Sequence, residues 1–405
     1  MDAIETIFEV ALLASGVVLL FPVTTFFLEC AWSVLPQRTR AADEPAKSPR
    51  VAVLIPAHDE ESVIGKTLTG LLPTLGKDDW ALVVADNCSD ETAGIARAAG
   101  ARVVERADDQ KRGKGYALDC GVRHLEADPP DVVVVLDADC DVELQTIRTI
   151  ATLAHNTGQP AQALNLGEFD RKSDAVYVVS ALANRFTNLI RPLGVTRMGL
   201  PYRLMGTGMA IPWPIMKTAS LAVGNLVEDT RLGIDLAIEG HNPLFERSVR
   251  VTSRLPQQSG AFQSQRTRWE HGHLQTALRE VPRLVRTTCR EDRPELLWMA
   301  LDLCVPPLAL LALLWSAVTL LSVVVWLLGA SGFPMFVLMV EGAMLASAVV
   351  VGWAAHCRHE IPLSALGAVP KYVWRKIPIY WGFLFRRQQD WVRTAREPLT
   401  DVEAS

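Results

Sequence analysis

The sequence predicts an α/β domain with a mostly parallel sheet, set between segments that are apolar enough to cross a membrane. Two observations lead to this fold class. Short runs of β-branched residues alternate with helical patterns between residues 51 and 136, which is typical of a parallel sheet buried on both faces. Long apolar segments lie outside that region, one near the start of the chain and two beyond residue 308.

The first apolar segment, Ile7 to Leu28, is long enough to cross a bilayer as a helix. A cleaved signal peptide is the alternative, but such peptides begin with basic residues, whereas this chain begins with Asp2 and Glu5 and shows no small-residue cleavage pattern. We therefore predict a retained membrane anchor over residues 1–32, followed by a cytoplasmic linker over 33–49.

Short strands and helices then alternate along the chain. In order, the pattern predicts a strand at 51–55, a helix at 62–72, a strand at 81–85, a helix at 91–99, a strand at 102–105, a helix at 114–126 and a strand at 132–136. Polar residues follow three of these strands, at 58–60, 86–87 and 137–139. Because ligands bind outside the carboxyl ends of parallel strands, we expect these residues to share one binding edge.

Two further apolar segments follow this region, Leu308 to Leu328 and Phe333 to Ala355, and Glu341 is the only charged residue in them. A helical hairpin buried in a soluble core is the alternative, but segments of this length favour a transmembrane pair. We predict that this pair occupies residues 296–357, which leaves residues 50–295 for the α/β domain.

Basic residues flank the three apolar segments and indicate their orientation. They are Arg38, Arg40, Lys47 and Arg50 after the first, Arg279, Arg283, Arg286, Arg290 and Arg293 before the second, and Arg358, Lys371, Arg375, Lys376, Arg386, Arg387, Arg393 and Arg396 after the third. Positive charge marks the cytoplasmic side. All three flanks reach that side if the N-terminus is outside, so we predict a multi-pass protein of the inner (plasma) membrane with a cytoplasmic α/β domain.

The last segment, 358–405, combines basic residues with aromatic ones such as Trp374, Trp381 and Trp391. This composition predicts a helix that lies in the headgroup region and contacts membrane lipids. A fourth short span is the alternative, but Lys376 and Pro378 interrupt it.

Composition excludes several classes of protein. The chain has 405 residues and a net charge of −5, which argues against a nucleic-acid partner. A hydrophobic fraction of 49% excludes low-complexity disorder. The seven cysteines include no CxxC pair, so neither a disulfide framework nor a zinc site is expected.

A pair of carboxylates, Asp137 and Asp139, follows the strand at 132–136. Two carboxylates one residue apart can hold a hard divalent cation such as Mg²⁺ or Mn²⁺. That ion would stabilise a diphosphate leaving group. The same residues could instead cap the next helix, so this pair alone does not decide the function.

Five more motifs accompany this pair, and together the six are, in chain order, Pro56-Ala-His-Asp-Glu60, Asp86-Asn-Cys-Ser-Asp90, Arg112-Gly-Lys-Gly-Tyr116, Asp137-Ala-Asp139, Glu228-Asp229 and Gln265-Arg-Thr-Arg-Trp269. With these motifs the sequence resembles the family 2 glycosyltransferases, GT-A-fold enzymes that include cellulose, chitin and hyaluronan synthases and ceramide glucosyltransferase. The resemblance covers about residues 50 to 275.

The resemblance implies a role for each motif residue. Pro56, Ala57, Glu60 and Asp86 would line the pocket for the nucleotide base and ribose, Lys114 would approach the nucleotide, Asp137 would lie beside it, and Asp139 would bind the metal. Asp229 would be the catalytic base, and Gln265, Arg268 and Trp269 would hold the diphosphate and frame the acceptor channel. Plainer roles remain open for three neighbours: His58 as a pocket wall, Asp90 as a helix cap and Glu228 as an orienting residue.

Two segments between the motifs bear on the acceptor. Val179, Leu182, Phe186 and Leu189 form a helical apolar stripe, which predicts either core packing or a helix along the membrane face. The segment from Gly206 to Trp213 resembles the acceptor-side loop of the family, in which Trp213 could stack on a sugar.

The predicted function is an inverting, metal-dependent glycosyltransferase that uses a nucleotide sugar, in our interpretation a UDP-sugar. Its acceptor would be lipid-linked or a growing glycan at the inner membrane face, in exopolysaccharide or glycolipid biosynthesis, with polysaccharide assembly proteins as further partners. A processive polysaccharide synthase is the nearest alternative, although such enzymes usually have more spans. A nucleotidyltransferase and a non-catalytic assembly subunit are alternatives from other classes.

Overall fold

The computed structural model describes residues 3–36, 48–169, 174–222, 228–254 and 259–386. Three basic residues predicted to flank the first span (Arg38, Arg40 and Lys47) and the tail from Arg387 onward lie outside these ranges. The chain divides into two compact units. Within the described residues, one contains 48–168, 201–222, 228–254 and 259–272, and the other contains 3–36, 169, 174–200 and 273–386.

The first unit is built on an eight-stranded sheet with strand order β3-β2-β1-β4-β7-β6-β8-β5. The strands are β1 (Val51–Ala57), β2 (Trp80–Asp86), β3 (Arg102–Arg106), β4 (Val132–Val135), β5 (Cys140–Val142), β6 (Ala161–Glu168), β7 (Met209–Pro212) and β8 (Leu244–Arg254). Strands β3, β2, β1 and β4 are parallel neighbours, and β6 is parallel to β8, whereas β7 and β5 pair antiparallel to their neighbours. The mixed, mostly parallel sheet confirms the predicted α/β class.

Helices cover both faces of this sheet. They are α2 (Ile64–Leu71), α3 (Thr92–Ala98), α4 (Lys114–Leu125), α5 (Thr146–Thr157), α8 (Trp213–Met216) and α9 (Glu228–Ile238). Alternate residues of β1 point to opposite faces, as the twofold period of a strand requires. Val53 and Ile55 pack with α2 and α5, and Leu54 packs with α4. Every element predicted between residues 51 and 136 is present, with small differences at the ends.

The second unit is helical. Its helices are α1 (Ala3–Trp32), α6 (Ala175–Arg185), a π-helical turn (Phe186–Ile190), α7 (Arg191–Arg197), the part of α10 (Ser259–Glu291) from His273, α11 (Pro294–Cys304), α12 (Leu308–Leu327), α13 (Phe333–His356) and α14 (Val369–Phe385). Three segments are long and apolar enough to cross a membrane, and they are Thr6–Trp32, Leu308–Leu327 and Phe333–His356. They coincide with the three predicted spans.

The apolar stripe on α6 and the following π turn packs inside the helical unit. Leu182 and Phe186 are buried in one cluster with Phe26 of α1 and residues of α13, and the rings of Phe26 and Phe186 lie 5.6 Å apart. Of the two predicted alternatives, core packing therefore describes these two residues. The unit also takes in residues 273–295, which the sequence prediction had placed in the α/β domain.

A buried ionic cluster joins three helices of this unit. Arg191 on α7 donates from Nε to Glu29 of α1 at 2.5 Å, and from Nη2 to the carboxylate of Asp302 on α11 at 2.5 Å. All three residues are buried. The sequence gave no sign of these two partners of Arg191, because both are far from it along the chain.

Helix α14 is amphipathic. Tyr372, Ile379 and Tyr380 are buried against other helices of the unit, whereas Trp374 and Trp381 are 74% and 65% exposed. Exposed tryptophans on a basic helix are typical of the membrane interface. The interfacial location of the tail remains a prediction.

Candidate active site

The carboxyl ends of β1, β2 and β4 meet at one edge of the sheet, here called the rim, which includes residues 56–60, 86–90 and 137–139. At its centre, Lys114 at the start of α4 donates from Nζ to Asp137 Oδ1 at 2.5 Å and to the carbonyl oxygen of Gly206 at 2.7 Å. Residues from two motifs and from the segment that begins at Gly206 are thereby joined by direct hydrogen bonds.

A turn at Gly206, Thr207 and Gly208 closes one side of the rim. Gly206 has a φ of +87° and Gly208 a φ of +66°, both in the left-handed region that glycine adopts without strain. The Thr207 hydroxyl accepts the backbone N–H of Asp137 at 3.1 Å and so fixes the start of the Asp137–Asp139 loop. Thr207 was not among the predicted site residues, because a single threonine between two glycines gives no functional signal.

Helix α9 brings Glu228 and Asp229 to the same place. A side chain on Gly206 would bring its first carbon within 2.8 Å of Asp229 Oδ2 and within 3.6 Å of Lys114 Nζ, so the three residues are close neighbours. A pocket beside them is lined by Lys114, Leu118, Met209, Ser220, Leu221, Glu228, Asp229 and Leu232. The lining of this pocket therefore combines polar residues with apolar ones.

Burial and neighbouring charges shift the pKa values of Lys114, Glu228 and Asp229. Burial raises the pKa of Glu228 to about 7, although the charge of Lys114 acts against the rise. Burial also raises the pKa of Asp229, again opposed by Lys114. Burial would lower the pKa of Lys114, but Asp137 and Glu228 outweigh it and raise that pKa above its ordinary value. Lys114 thus stays cationic, and Asp229 is more basic than an ordinary aspartate.

The predicted metal ligands lie together on this rim. Ligand atoms of Asp137, Asp139 and Cys140 fall within 4.8 Å of one another. Hard cations such as Mg²⁺ and Mn²⁺ prefer oxygen ligands, and the buried Cys140 thiol lies 3.4 Å from the Thr207 hydroxyl. The two carboxylates therefore fit a divalent cation, and the Cys140 thiol lies beside them.

Asp86 occupies the outer part of the rim and has a partner that the sequence did not reveal. Arg106 at the end of β3 donates from Nη1 to Asp86 Oδ1 at 2.5 Å. The same guanidinium pairs with Asp108 at 3.1 Å and donates to the carbonyl oxygen of Lys111 at 2.7 Å. A charged residue at a strand end usually faces solvent, so nothing in the sequence marked Arg106 as a site residue.

The residues after β1 form the neighbouring wall. Pro56 and Ala57 are the last residues of β1, and the backbone N–H of Glu60 donates to Thr92 Oγ1 at 2.8 Å. Asp90 accepts the backbone N–H of Thr92, the first residue of α3, at 3.0 Å. It therefore contacts the start of that helix, although the N-cap position itself is Glu91. The ring of His58 lies 2.7 Å from the carbonyl oxygen of Asp86, consistent with a wall residue.

Residues 49–272 match the family described as "Glycosyltransferase like family 2". This segment is more than half of the chain. The chain belongs to this family. Membership confirms the predicted class of enzyme, a glycosyltransferase, and the segment contains all of the six motifs.

Two curated relatives are similar over parts of this chain. The probable glycosyltransferase YdaM of Bacillus subtilis (strain 168) is 28% identical over 247 residues, which cover 57% of each chain. Glucosyl-3-phosphoglycerate synthase of Mycolicibacterium paratuberculosis (strain ATCC BAA-968 / K-10) is 37% identical over 125 residues, or 29% of this chain and 37% of that protein. The matched segments thus span little more than half of one relative and about a third of the other.

A solved structure with a similar fold covers most of this chain. The mannosyltransferase PcManGT of Pyrobaculum calidifontis, determined in complex with GDP-Man and Mn²⁺, superposes with a TM-score of 0.54 and 14% sequence identity. The superposition covers 93% of this chain and all of the other chain. It confirms the GT-A fold predicted for this glycosyltransferase family 2-like protein.

The last motif lies on α10. Gln265, Arg268 and Trp269 occupy the early turns of that helix, in the unit that contains the sheet, and each side chain is partly buried. The contacts described above join Lys114, Asp137, Gly206 and Asp229 but do not include these three residues. Their roles toward the diphosphate and the acceptor remain predictions.

Trp213 does not lie at the rim. Strand β7 runs antiparallel to β4, with Pro212 opposite Val132, and the backbone N–H of Trp213 donates to the carbonyl oxygen of Asp131 at 2.9 Å. Trp213 is therefore at the amino end of β4, one strand length from Asp137, and it packs against the core. The expectation that Trp213 stacks on a sugar at this site was wrong. Strand β7 runs antiparallel to β4 and leads away from the rim, so it separates Trp213 from Gly206. The sequence did not reveal this direction.

Proposed function

We propose that this protein is an inverting glycosyltransferase that moves a sugar from a nucleotide-sugar donor to a hydroxyl group of a lipid-linked or glycan acceptor. One observation carries the proposal. Lys114, Asp137 and Gly206 are joined by hydrogen bonds, and Gly206 lies directly against Asp229. A cation, a carboxylate beside the predicted metal ligand and a candidate base therefore occupy one small region of the rim.

In the proposed reaction, Asp229 takes the proton from the acceptor hydroxyl. The acceptor oxygen then forms a bond to the anomeric carbon from the side opposite the diphosphate. The bond from that carbon to the diphosphate oxygen breaks, and its electrons leave with the nucleoside diphosphate. The raised pKa of Asp229 suits this role, since a stronger base removes the proton more readily.

The leaving diphosphate needs positive charge nearby. Lys114 supplies one fixed cation, and it remains protonated because Asp137 and Glu228 raise its pKa. Asp137 and Asp139 would hold a Mg²⁺ or Mn²⁺ ion, which when bound would neutralise the diphosphate oxygens. Arg268 would add a further cation, as the resemblance implies for the motif Gln265-Arg-Thr-Arg-Trp269.

The donor in this proposal is a UDP-sugar, and the acceptor is reached from the inner face of the membrane. Three helices that can cross a membrane support a membrane-bound enzyme. Three spans with an interfacial tail favour transfer of single sugars in exopolysaccharide or glycolipid assembly over processive synthesis, because a secretion channel needs more helices.

The test uses the purified full-length protein in detergent with a panel of radiolabelled nucleotide sugars and a membrane lipid extract. We expect one donor to label a lipid-extractable product in the presence of Mn²⁺ or Mg²⁺, and excess EDTA to abolish the labelling. Full sugar transfer in excess EDTA would show that the reaction does not depend on a metal ion. Absence of transfer with every donor, under conditions in which the protein binds nucleotide, would favour a non-catalytic role.

A further inference from the structure

The turn at Gly206, Thr207 and Gly208 connects several parts of the candidate site, although it belongs to no helix or strand. The carbonyl oxygen of Gly206 accepts Lys114 Nζ at 2.7 Å, and the Thr207 hydroxyl accepts the backbone N–H of Asp137 at 3.1 Å. Because glycine adopts many backbone conformations, a turn with two glycines needs support from neighbouring elements to keep one geometry.

Gln162 on β6 supplies that support. Its side-chain Oε1 accepts the backbone N–H of Met205 at 2.8 Å, and its Nε2 donates to the carbonyl oxygen of Thr207 at 2.8 Å. The same Nε2 also donates to the carbonyl oxygen of Ala163 at 2.8 Å. Hydrogen bonds from one side chain therefore hold the backbone on both sides of Gly206.

The amide of Gln162 can make these contacts in one orientation only. Met205 offers a donor and Thr207 an acceptor, so the carbonyl end faces Met205 and the amino end faces Thr207. Gln162 is 1% exposed, and its neighbours in β6, Ala161 and Ala163, are buried and apolar. A buried amide is costly unless its hydrogen bonds are made, so an apolar side chain would serve better at this position if packing were its role.

Two further contacts attach the turn to β6. Asn165 donates from Nδ2 to the carbonyl oxygen of Met205 at 3.2 Å, and the backbone N–H of Ala163 donates to the carbonyl oxygen of Gly208 at 2.9 Å. Strand β6 thus fixes both ends of the segment 205–208, and Gln162 fixes the backbone around Gly206 between them.

We propose, resting on the proposed function, that Gln162 is a positioning residue for sugar transfer. By holding both sides of Gly206, it fixes the carbonyl oxygen that accepts a hydrogen bond from the Lys114 ammonium. It also fixes the Thr207 hydroxyl, which holds the start of the loop 137–139. The hydrogen bonds of Gln162 itself go to backbone groups. Its effect therefore reaches the leaving diphosphate through the cation and the metal-binding loop, where preorganised charge matters most.

The first measurement is steady-state sugar transfer by the full-length protein in detergent, with the donor that labels a product. Gln162→Met keeps the approximate length of the side chain but removes its hydrogen bonds. We expect kcat to fall by about tenfold to a hundredfold. The KM for the donor should change by less than about threefold, because the proposed base and ribose pocket lies on β1 and β2. A kcat equal to that of wild type would overturn the proposal, as would an effect confined to KM.

Thr146→Val is the matched control. Thr146 is also buried, and its hydroxyl donates to the carbonyl oxygen of Arg250 on β8 at 3.2 Å instead of to a residue of the turn. This variant should lower the melting temperature, as Gln162→Met does, but leave kcat unchanged. The same loss of kcat in both variants would show that Gln162 only supports the fold.

A double-mutant cycle tests whether Gln162 acts through the turn. Thr207→Val removes the hydroxyl that holds Asp137 and keeps the size of the side chain. If Gln162 and Thr207 act through the same turn, the double variant should lose about as much kcat as the more harmful single variant. Losses that multiply would show that the two residues act independently, and would contradict the proposal.

Hydrogen exchange of the wild-type protein, followed by mass spectrometry, needs neither sugar transfer nor a variant that folds. The Met205 amide should exchange at least about tenfold more slowly than an unstructured amide, because Gln162 accepts its hydrogen bond. In Gln162→Met this protection should be lost. Fast exchange at Met205 in wild type would overturn the role of Gln162 even if sugar is transferred. Protection at Met205 in a protein that transfers no sugar would support the attachment of the turn and count against the proposed function alone.

Discussion

At the scale of single residues, the rim depends on Gly206 having no side chain. Its φ of +87° is strained for any other residue, and a Cβ there would lie 2.8 Å from Asp229 Oδ2. Gly206→Ala should therefore displace Asp229 and Lys114. We expect sugar transfer to fall by about tenfold to a hundredfold, as a misplacement of about 1 Å can cause, along with a stability loss of about 1–2 kcal/mol.

Gly240→Ala is the control for this prediction. Gly240 also has a positive φ, +94°, but nothing lies within 4 Å of the position that a Cβ would take. The Gly240→Ala variant should show a similar loss of thermal stability, and its rate of sugar transfer should be unchanged. If both variants lose activity in equal measure, the effect of Gly206→Ala is backbone strain and not displacement of the site.

Glu228 makes the stability of the protein depend on pH. Its pKa is raised from 4.5 to about 7, so ionising it costs more in the folded than in the unfolded state. That cost begins near pH 4.5 and is complete above pH 7. Glu228→Gln cannot ionise, and its melting temperature relative to wild type should therefore be higher at pH 8 than at pH 5. The same difference at both pH values would contradict the assigned environment of Glu228.

At the scale of elements, α4 packs on the sheet through a glycine. A Cβ on Gly121 would lie 2.4 Å from Leu54 Cδ1 and 3.0 Å from Val84 Cγ2. Gly121→Ala should destabilise the protein by about 1–3 kcal/mol because the contact is already full. Gly70→Ala, at an open position on α2, should instead stabilise it by up to about 1 kcal/mol. Thermal unfolding measures whether Gly121→Ala lowers and Gly70→Ala raises the stability of the protein. A Gly121→Ala protein as stable as wild type would contradict the close packing of α4 on the sheet.

The elements that could be predicted from sequence are those with a clear local pattern. Strands such as β1 and β4 are continuous apolar runs, and the helices between them keep a regular period, so their positions followed directly. Strands β5 to β8 could not be predicted, since β8 reads Leu244-Phe-Glu-Arg-Ser-Val-Arg and resembles a polar loop. The strand reversal at β7, and with it the position of Trp213, depends on pairing that no local pattern encodes.

Some residues of the candidate site could also be predicted from the sequence, and others could not. Acidic residues directly after apolar strands, such as Asp86 and Asp137, could be placed on one rim because parallel strands end together. Arg106 could not be placed, because its link to the rim is an ion pair with Asp86, which lies twenty residues away in sequence and on a neighbouring strand. Ion pairs across strands leave no periodic trace in the chain.

At the scale of the whole molecule, the three apolar helices and the buried cluster of Glu29, Arg191 and Asp302 belong to one unit. The cluster contains two acidic residues and one basic residue. Removing one member of a buried ionic group leaves an uncompensated charge, so it lowers the stability of the fold by more than the pairing itself contributes. Helix α1 is thus tied into the fold by specific contacts and is more than a generic anchor.

The orientation of the spans gives a prediction at this scale. The basic flanks place Ser48 in the cytoplasm and Ser331, in the loop between α12 and α13, outside. In a background lacking reactive cysteines, a cysteine at position 331 should react with an impermeant thiol reagent in intact cells. A cysteine at position 48 should react only after the membrane is opened. The reverse pattern would overturn the predicted orientation.

The most direct test of the proposed reaction concerns Asp229. Asp229→Asn keeps the size of the side chain but cannot accept the proton of the acceptor hydroxyl, and Glu228→Gln is the comparison at the neighbouring position. Binding of the nucleotide sugar is measured by calorimetry, and product formation is measured with the radiolabelled donor. We predict that Asp229→Asn binds the donor nearly as well as wild type while transfer falls by about a thousandfold, and that Glu228→Gln loses much less. Transfer by Asp229→Asn at a rate near that of wild type would contradict the central claim and place the base elsewhere.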